Sequence, residues 1–102
     1  MKALLKERLE AIDDVHVATW KDTELLCVFY RGRDFAHFHG DDILDIRLSP
    51  KIIREAQLTR SVSARIHPNR SRNSRWIGIE FKTEEEVDRL IGLVRRACGE
   101  LG

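Results

Sequence analysis

The stretch that decides the fold is DFAHFHGDDILDIRLSP, residues 34–50. Polar and apolar side chains alternate over residues 34–39 and again over 43–48, which is typical of strands with two chemically different faces. Residues 40–42, with the sequence GDD, predict a turn between them, because short acidic side chains bond neighbouring backbone amides. Ser49-Pro50 predicts a helix start, since serine accepts a hydrogen bond from a first-turn N–H and proline lacks a donor that would stay unpaired there.

Three segments of the chain carry helical signals. Residues 4–12 place apolar side chains at helical spacing and predict a first helix of about three turns. The helix that begins at residue 49 is short and is expected to end near residue 57. Thr83 and Glu86 have the spacing of a capping box, which predicts the start of a long final helix. Its apolar stripe consists of Val87, Leu90, Ile91, Val94, Cys98 and Leu101.

Further strands are predicted on both sides of the central hairpin. Residues 15–20 and 25–31 are rich in aromatic and aliphatic side chains and predict a second hairpin. Residues 61–66 predict an edge strand, 68–74 a loop and 76–81 another strand. The fold class is therefore α+β, with a small, mostly antiparallel sheet packed by an N-terminal helix, a short middle helix and a long C-terminal helix.

Composition predicts one ordinary globular domain over residues 1–102. Apolar residues make up 42% of the chain and charged residues 34%, which is too apolar for disorder. The formal charge of +1 gives no overall attraction to nucleic acid or to an anionic membrane. Cys27 and Cys98 lack metal or redox spacing and are expected to be small buried hydrophobes in a reducing compartment. Because no signal-peptide or membrane-spanning stretch is present, we expect a cytoplasmic location without membrane contact.

Strand phase predicts a second sheet face with unusual chemistry. If Leu44, Ile46 and Leu48 face the helices, their neighbours in sequence point to the other side of the sheet. Applied to all strands, the same rule collects these residues on what we call the second face: Phe35, His37, His39, Asp45, Arg47, Trp76 and Glu80. This mixture of aromatic and ionisable groups makes the second face the candidate functional surface.

The histidines admit three interpretations. His37 and His39 lie about 7 Å apart on one strand face, so both can bind one metal if His67 or Asp41 completes the set. Alternatively they are hydrogen-bonded to Asp45 or to the backbone and have a structural role. In the third interpretation one histidine is a general base held by a carboxylate, which suits a cofactor-free oxidation that begins with proton removal from an acidic organic substrate.

Arginines offer a second kind of contact. Arg47 is either the partner of a substrate anion or paired with Asp45 or Glu80 across the strands. No acidic residue lies between Ala56 and Ile79, whereas five arginines do: Arg60, Arg65, Arg70, Arg72 and Arg75. Such a segment is either a solvated flexible loop or a patch that contacts phosphates.

Several motifs in order resemble a known family. AHFHGDDILDI at residues 36–46 is followed by SPKIIRE at 49–55, His67-Pro68, WIGI at 76–79 and the amphipathic last helix. This arrangement resembles the luciferase domain family over roughly the last two thirds of the chain. It is most similar to the small bacterial members, whose activity is not established. The resemblance implies a compact α+β fold and leaves the reaction open.

These patterns lead to two functional hypotheses. The first is a domain that binds a small organic molecule, with a cofactor-independent, oxygenase-like reaction if one is catalysed, and with no resident cofactor or metal. Its acid–base candidates are His37, His39 and His67, and its ligand contacts are Asp45, Arg47, Trp76, Phe35 and Glu80, with Trp76 and Phe35 as an apolar wall. The alternative is a non-catalytic homodimeric interaction module, whose arginine-rich loop contacts an acidic partner or, less favoured, nucleic acid.

Overall fold

The computed structural model describes residues 1–102 as four helices and one five-stranded sheet. The elements are α1 (Lys2–Glu10), β1 (Val15–Thr19), β2 (Leu26–Tyr30), β3 (Arg33–His39), β4 (Ile43–Arg47), α2 (Pro50–Glu55), α3 (Ser61–Ile66), β5 (Trp76–Glu80) and α4 (Glu84–Leu101). All neighbouring strands are antiparallel and follow the order β1-β2-β3-β4-β5. The predicted α+β class, with its N-terminal, middle and C-terminal helices, is confirmed.

The hairpin of β3 and β4 has the predicted turn. Phe38 lies opposite Leu44, and the turn between the strands includes Gly40 with φ at +72°, a conformation that glycine adopts without strain. After β4 the Ser49 hydroxyl accepts a hydrogen bond of 3.2 Å from the Ile52 backbone N–H. This cap begins α2 at Pro50, as the sequence predicts.

The core lies between helices α1 and α4 and the face of the sheet that carries Leu44, Ile46 and Leu48, which we call the first face. Leu44, Ile46 and Leu48 of the first face are buried together with Leu5 of α1 and Leu90 of α4. Each such side chain contributes roughly 1.5–3 kcal/mol by leaving water. The predicted capping box of α4 is present, with Thr83 and Glu86 each bonding the backbone of the other.

Residues 61–66 form helix α3, so the predicted edge strand is wrong. Their apolar residues fit both a strand period and a helix period, because Val62 and Ile66 are four positions apart. Those two side chains pack against β5 at Gly78, where a Cβ atom would come within 3.2 Å of Val62 and 3.1 Å of Ile66. The missing side chain at Gly78 therefore lets α3 lie directly on the second face, and tertiary packing decides the helical state.

Phe35 belongs to the core, so its predicted position on the second face is wrong. Val28 pairs with Ala36 whereas Phe29 pairs with Asp34, which leaves Phe35 as an extra residue in β3. Such a bulge interrupts the alternation of side chains. Phe35 and Ala36 are consecutive, yet both are 2% exposed or less and both belong to the core cluster.

Other sequence expectations concern the cysteines and membrane-spanning helices. Cys27 and Cys98 are buried and unpaired, as predicted for small hydrophobes. Burial raises the pKa of both thiols, so they are poor nucleophiles at neutral pH. None of the four helices has the length and apolar character needed to cross a bilayer.

Candidate functional site

The second face of the sheet is centred on Asp45, in the middle of β4. Asp45 lies opposite His37 of β3 on one side and Gly78 of β5 on the other. Its side chain is fully buried, because α3 and the segment that follows it cover this part of the sheet. A carboxylate without water requires charged or hydrogen-bonding partners, so the groups around Asp45 define the site.

Arg70 supplies the charge that balances Asp45. Its two terminal nitrogens donate to the two carboxylate oxygens, with Nη1 2.8 Å from Oδ1 and Nη2 2.7 Å from Oδ2. Nη1 also lies 3.3 Å from the backbone carbonyl of Trp76, which connects the loop to β5. Paired, charge-assisted bonds of this kind are strong and fix the orientation of both groups.

Asp45 is ionised throughout the neutral range. Burial alone would raise its pKa, but hydrogen bonds from His37 and Arg70 and the positive charge of Arg70 outweigh that effect. Together they lower the pKa of Asp45 from 3.8 to about 2. The buried centre of the second face is therefore a fixed negative charge paired with one guanidinium.

His37 is oriented by this carboxylate. Its Nε2 lies 3.2 Å from Asp45 Oδ2, and its side chain remains 26% exposed. When Nε2–H donates to Asp45, the neutral imidazole keeps Nδ1 as its free acceptor. The Asp45 carboxylate thereby selects the tautomer of His37 and directs its basic nitrogen away from the buried charge.

His67, the residue that follows α3, lies near the same carboxylate. The hydroxyl of Ser63 accepts a 2.8 Å hydrogen bond from the Gly78 N–H and so attaches α3 to the edge of β5. This places His67 Nε2 at 3.8 Å from Asp45 Oδ2, too long for a hydrogen bond. Although the ring is partly exposed, Nε2 is buried and has no hydrogen-bond partner.

The pKa of His67 is below the ordinary value of 6.5. Burial is the main cause, and the positive charge of Arg70 adds to it, while the charge of Asp45 acts in the opposite direction. His67 is consequently a neutral imidazole at pH 7, able to accept a proton or a hydrogen bond. We call His37, Asp45, His67 and Arg70 the Asp45 network.

Two aromatic side chains border the Asp45 network. The rings of Trp76 and His37 have centroids 5.3 Å apart with a tilt of 36°, and Trp76 is partly buried. The exposed His39 places its ring edge-on to His67, with centroids 5.7 Å apart. The structure therefore brings together His37, His39, His67 and Trp76, which the sequence predicts as members of one site.

The depressions beside the Asp45 network adjoin His67 and do not extend across the sheet. A cavity of about 240 Å³ is bordered by Ser63, His67 and Arg70. A second depression of about 360 Å³ is bordered by Ile66, His67 and Arg70. The second is at the lower end of the range of small-molecule sites, about 300–1,000 Å³, and the first is below it. Of the site residues that the sequence predicts, His67 borders both depressions, and His37, His39 and Trp76 border neither.

Arg47 and Glu80 lie outside the Asp45 network. The predicted pairing of Arg47 with Asp45 or Glu80 is wrong, because Asp45 is held by Arg70 and Glu80 by Arg65 at 3.1 Å and Lys82 at 3.0 Å. Arg47 is exposed and borders a separate cavity of about 190 Å³, whose lining includes none of the histidines.

The groups with metal-binding chemistry differ from those the sequence suggested. Asp41 is exposed at the hairpin turn and contacts Lys2 at 3.4 Å, so it does not complete a site with His37 and His39. The potential ligand atoms of His37, Asp45 and His67 do lie within 4.8 Å of one another. However, Asp45 Oδ2 already accepts a 2.7 Å hydrogen bond from Arg70 Nη2, and His37 Nε2 lies 3.2 Å from it. A metal ion held by these three residues would therefore compete with Arg70 for the carboxylate.

Arg70 is the member of the Asp45 network that was not predicted from the sequence. It was one arginine among five in a segment interpreted as a loop, with no local pattern to distinguish it. The feature of the sequence that points to such an arginine is Asp45, because a carboxylate on a buried strand requires a cation from elsewhere in the chain.

The fold and the Asp45 network define an α+β domain with a buried aspartate, arginine and histidine cluster on the sheet face opposite its core. The Luciferase domain family matches residues 32–97, which is more than half of the chain and includes the whole network. The chain therefore belongs to the Luciferase domain family, as its motifs predict. No curated protein and no solved structure matches it.

Proposed function

We propose that the protein binds a small organic acid beside the Asp45 network and uses His37 to remove a proton from it. The observation that carries this proposal is the ionised, buried Asp45 that orients the partly exposed His37 at 3.2 Å. An oriented imidazole with one free nitrogen is the usual form of a general base. His67, neutral and adjacent, supplies a second acceptor for a substrate hydroxyl or for the departing proton.

Other groups have supporting roles in this proposal. Trp76, whose ring lies against His37, offers a flat apolar surface for a planar ligand. Arg70 keeps Asp45 charged and fixed and is a positioning residue rather than a base. We infer an oxygenation without a cofactor: His37 takes the acidic proton, and the resulting carbanion is oxidised by dioxygen as co-substrate, adding it to form a hydroperoxide.

The alternative of a homodimeric interaction module requires an open sheet face. Helix α3 and the Asp45 network cover the second face over β4 and β5, and two of the concavities beside them adjoin His67. This arrangement favours a small ligand over a flat protein interface. Light scattering after gel filtration measures the oligomeric state and so distinguishes the ligand-binding proposal from the homodimeric module. The ligand-binding proposal expects the same oligomeric state for His37→Ala and for the wild type.

The ligand proposal is tested by NMR titration of ¹⁵N-labelled protein with planar, enolisable organic acids such as phenylpyruvate. We expect saturable shifts at the Trp76 indole and the Gly78 amide, with solvent deuterium entering the acidic C–H position of the bound compound. In His37→Ala the incorporation rate falls by about a hundredfold or more. His16→Ala is the matched control, because His16 is an exposed histidine on β1. Equal incorporation in His37→Ala and the wild type would contradict the proposal, and stoichiometric metal in the purified protein would assign the cluster to a metal centre instead.

A further inference from the structure

The largest cavity of the protein is separate from the Asp45 network. It has a volume of about 630 Å³ and lies between α2, the connection to α3 and the loop before β5. Its lining residues are Pro50, Ile53, Arg54, Gln57, Leu58, Arg60, Arg72, Asn73 and Ser74. This volume is within the range of sites that hold cofactor-sized or substrate-sized molecules.

The lining of this cavity carries positive charges that no acidic side chain in the lining neutralises. Arg54, Arg60 and Arg72 contribute three guanidinium groups, and the lining contains no aspartate or glutamate. None of these three arginines is within ion-pair distance of a carboxylate, whereas Arg65, Arg70 and Arg96 each have one. Like charges gathered around one cavity repel each other, and an anion in the cavity removes that repulsion.

Arg60 carries the strongest sign of a missing partner. Its Nη1 is buried, and no protein atom accepts a hydrogen bond from it. Buried polar groups are nearly always hydrogen-bonded, so this guanidinium nitrogen lacks the partner that such groups usually have within the chain, on a residue that also lines the cavity.

Neutral donors and apolar walls complete the cavity. The Ser74 hydroxyl oxygen accepts from the Trp76 N–H at 3.1 Å, which leaves its own hydrogen free to donate. The side-chain amides of Gln57 and Asn73 add further donors, and Ile53 and Leu58 form an apolar part. The combination suits a molecule with an anionic oxygen-rich group and an organic body.

We propose that this cavity binds the phosphate group of a small phosphorylated molecule. Three guanidinium groups match a doubly charged tetrahedral anion better than a singly charged carboxylate, and arginine binds phosphate oxygens in pairs. A concave site with an apolar wall also favours a small molecule over the backbone of a nucleic acid, which is recognised along extended surfaces with stacking aromatics.

The phosphate site and the Asp45 network can serve one ligand. Arg60 and Arg72 also border the 240 Å³ cavity that adjoins His67 and Arg70, so the two regions share a wall. A substrate whose phosphate lies among the arginines can extend its organic part toward His67. This last step rests on the proposed function, whereas phosphate binding stands without it.

The phosphate site is tested by titrating ¹⁵N-labelled protein with inorganic pyrophosphate at constant ionic strength. We expect saturable shifts at the Asn73 and Ser74 amides, and about tenfold weaker binding in Arg60→Gln because one charge-assisted contact is lost. Arg72→Gln provides a second variant at an exposed position that cannot disturb the core. Arg95→Gln is the matched control, because Arg95 is exposed on α4, has no carboxylate partner and lies outside the cavity.

Acetate, the arginine variants and an oligonucleotide test whether the cavity prefers phosphate. Acetate at the same ionic strength is expected to bind at least tenfold more weakly than pyrophosphate; equal affinity would overturn the preference for phosphate. Equal losses in Arg72→Gln and Arg95→Gln would overturn the site, since only overall charge would then matter. A single-stranded oligonucleotide that displaces pyrophosphate and binds at least tenfold more tightly would assign the arginines to nucleic acid and overturn the small-molecule site. His37→Ala should bind pyrophosphate normally, so failure of the proton-transfer proposal is distinguishable from failure of this one.

Discussion

At the scale of single residues, the behaviour of the second face follows from the burial of Asp45. Its carboxylate has no water contact, so its charge depends on Arg70 and on the hydrogen bond with His37. Removing one partner of a buried ion pair leaves the other charge without compensation, which destabilises more than the pair itself stabilises. Arg70 is therefore required for both the stability of the fold and the orientation of His37.

Replacement of Arg70 tests this dependence. In Arg70→Met the Asp45 carboxylate stays buried without its cation, and we expect the free energy of unfolding to fall by about 3 kcal/mol. Arg72→Met is the control, because Arg72 is an exposed arginine in the same loop and its loss should change stability by less than about 0.5 kcal/mol. Urea unfolding followed by circular dichroism measures both. Equal stabilities of the two variants would show that Arg70 does not balance Asp45.

The titration of Asp45 predicts how stability changes in acid. Its pKa is lower in the folded protein, about 2, than the ordinary 3.8, so ionised Asp45 stabilises the fold above the ordinary pKa. The contribution is about 2 kcal/mol at neutral pH and is lost as the pH falls from about 5 toward 2. Urea unfolding at several pH values in this range should show a shallower acid slope for Asp45→Asn than for the wild type. Parallel slopes would mean that Asp45 is not the group responsible for the loss of stability in acid. The pKa of Glu80 is also lowered, by Lys82, but Glu80 is present in both proteins and therefore contributes equally to both slopes.

At the scale of elements, helix α3 determines whether the site exists. It lies against β5 because Gly78 has no side chain, and it delivers His67 at its end. The longer elements could be predicted from local patterns, since α4 has both a capping box and an apolar stripe and the strands alternate. The six residues of α3 could not, because their apolar spacing fits two periods and only contact with Gly78 selects the helix.

Gly78 is the position at which this packing can be tested. In Gly78→Val the added atoms collide with Val62 and Ile66, and we expect a loss of about 2 kcal/mol with displacement of His67. Gly92→Ala is the control, because nothing lies within 4 Å of an added Cβ in α4 and alanine favours a helix by about 0.5–1 kcal/mol. Urea unfolding gives the stabilities, and the His67 ring resonances report the displacement. A Gly78→Val protein with unchanged His67 resonances would contradict the role assigned to α3.

At the scale of the whole molecule, the two faces of one sheet carry the hydrophobic core and the candidate site. The first face carries the core with α1 and α4, and the second face carries the Asp45 network under α3. Strand alternation alone predicts most of this division, including His37 and Asp45 on one face. It fails at Phe35, where a bulge breaks the alternation, and at Arg70, because a loop side chain is positioned by a partner 25 residues away in sequence.

The most direct test of the proposed acid–base network is ¹⁵N NMR titration of the histidine rings in the wild type and in Asp45→Asn. We expect the neutral form of the wild-type His37 ring to be the tautomer with the proton on Nε2, and His67 to have a pKa below the ordinary 6.5. The exposed His16 is the internal reference, and Asp45→Asn should alter the rings of His37 and His67 but not that of His16. A wild-type His37 protonated only on Nδ1, or a His67 that titrates above 6.5, would contradict the account.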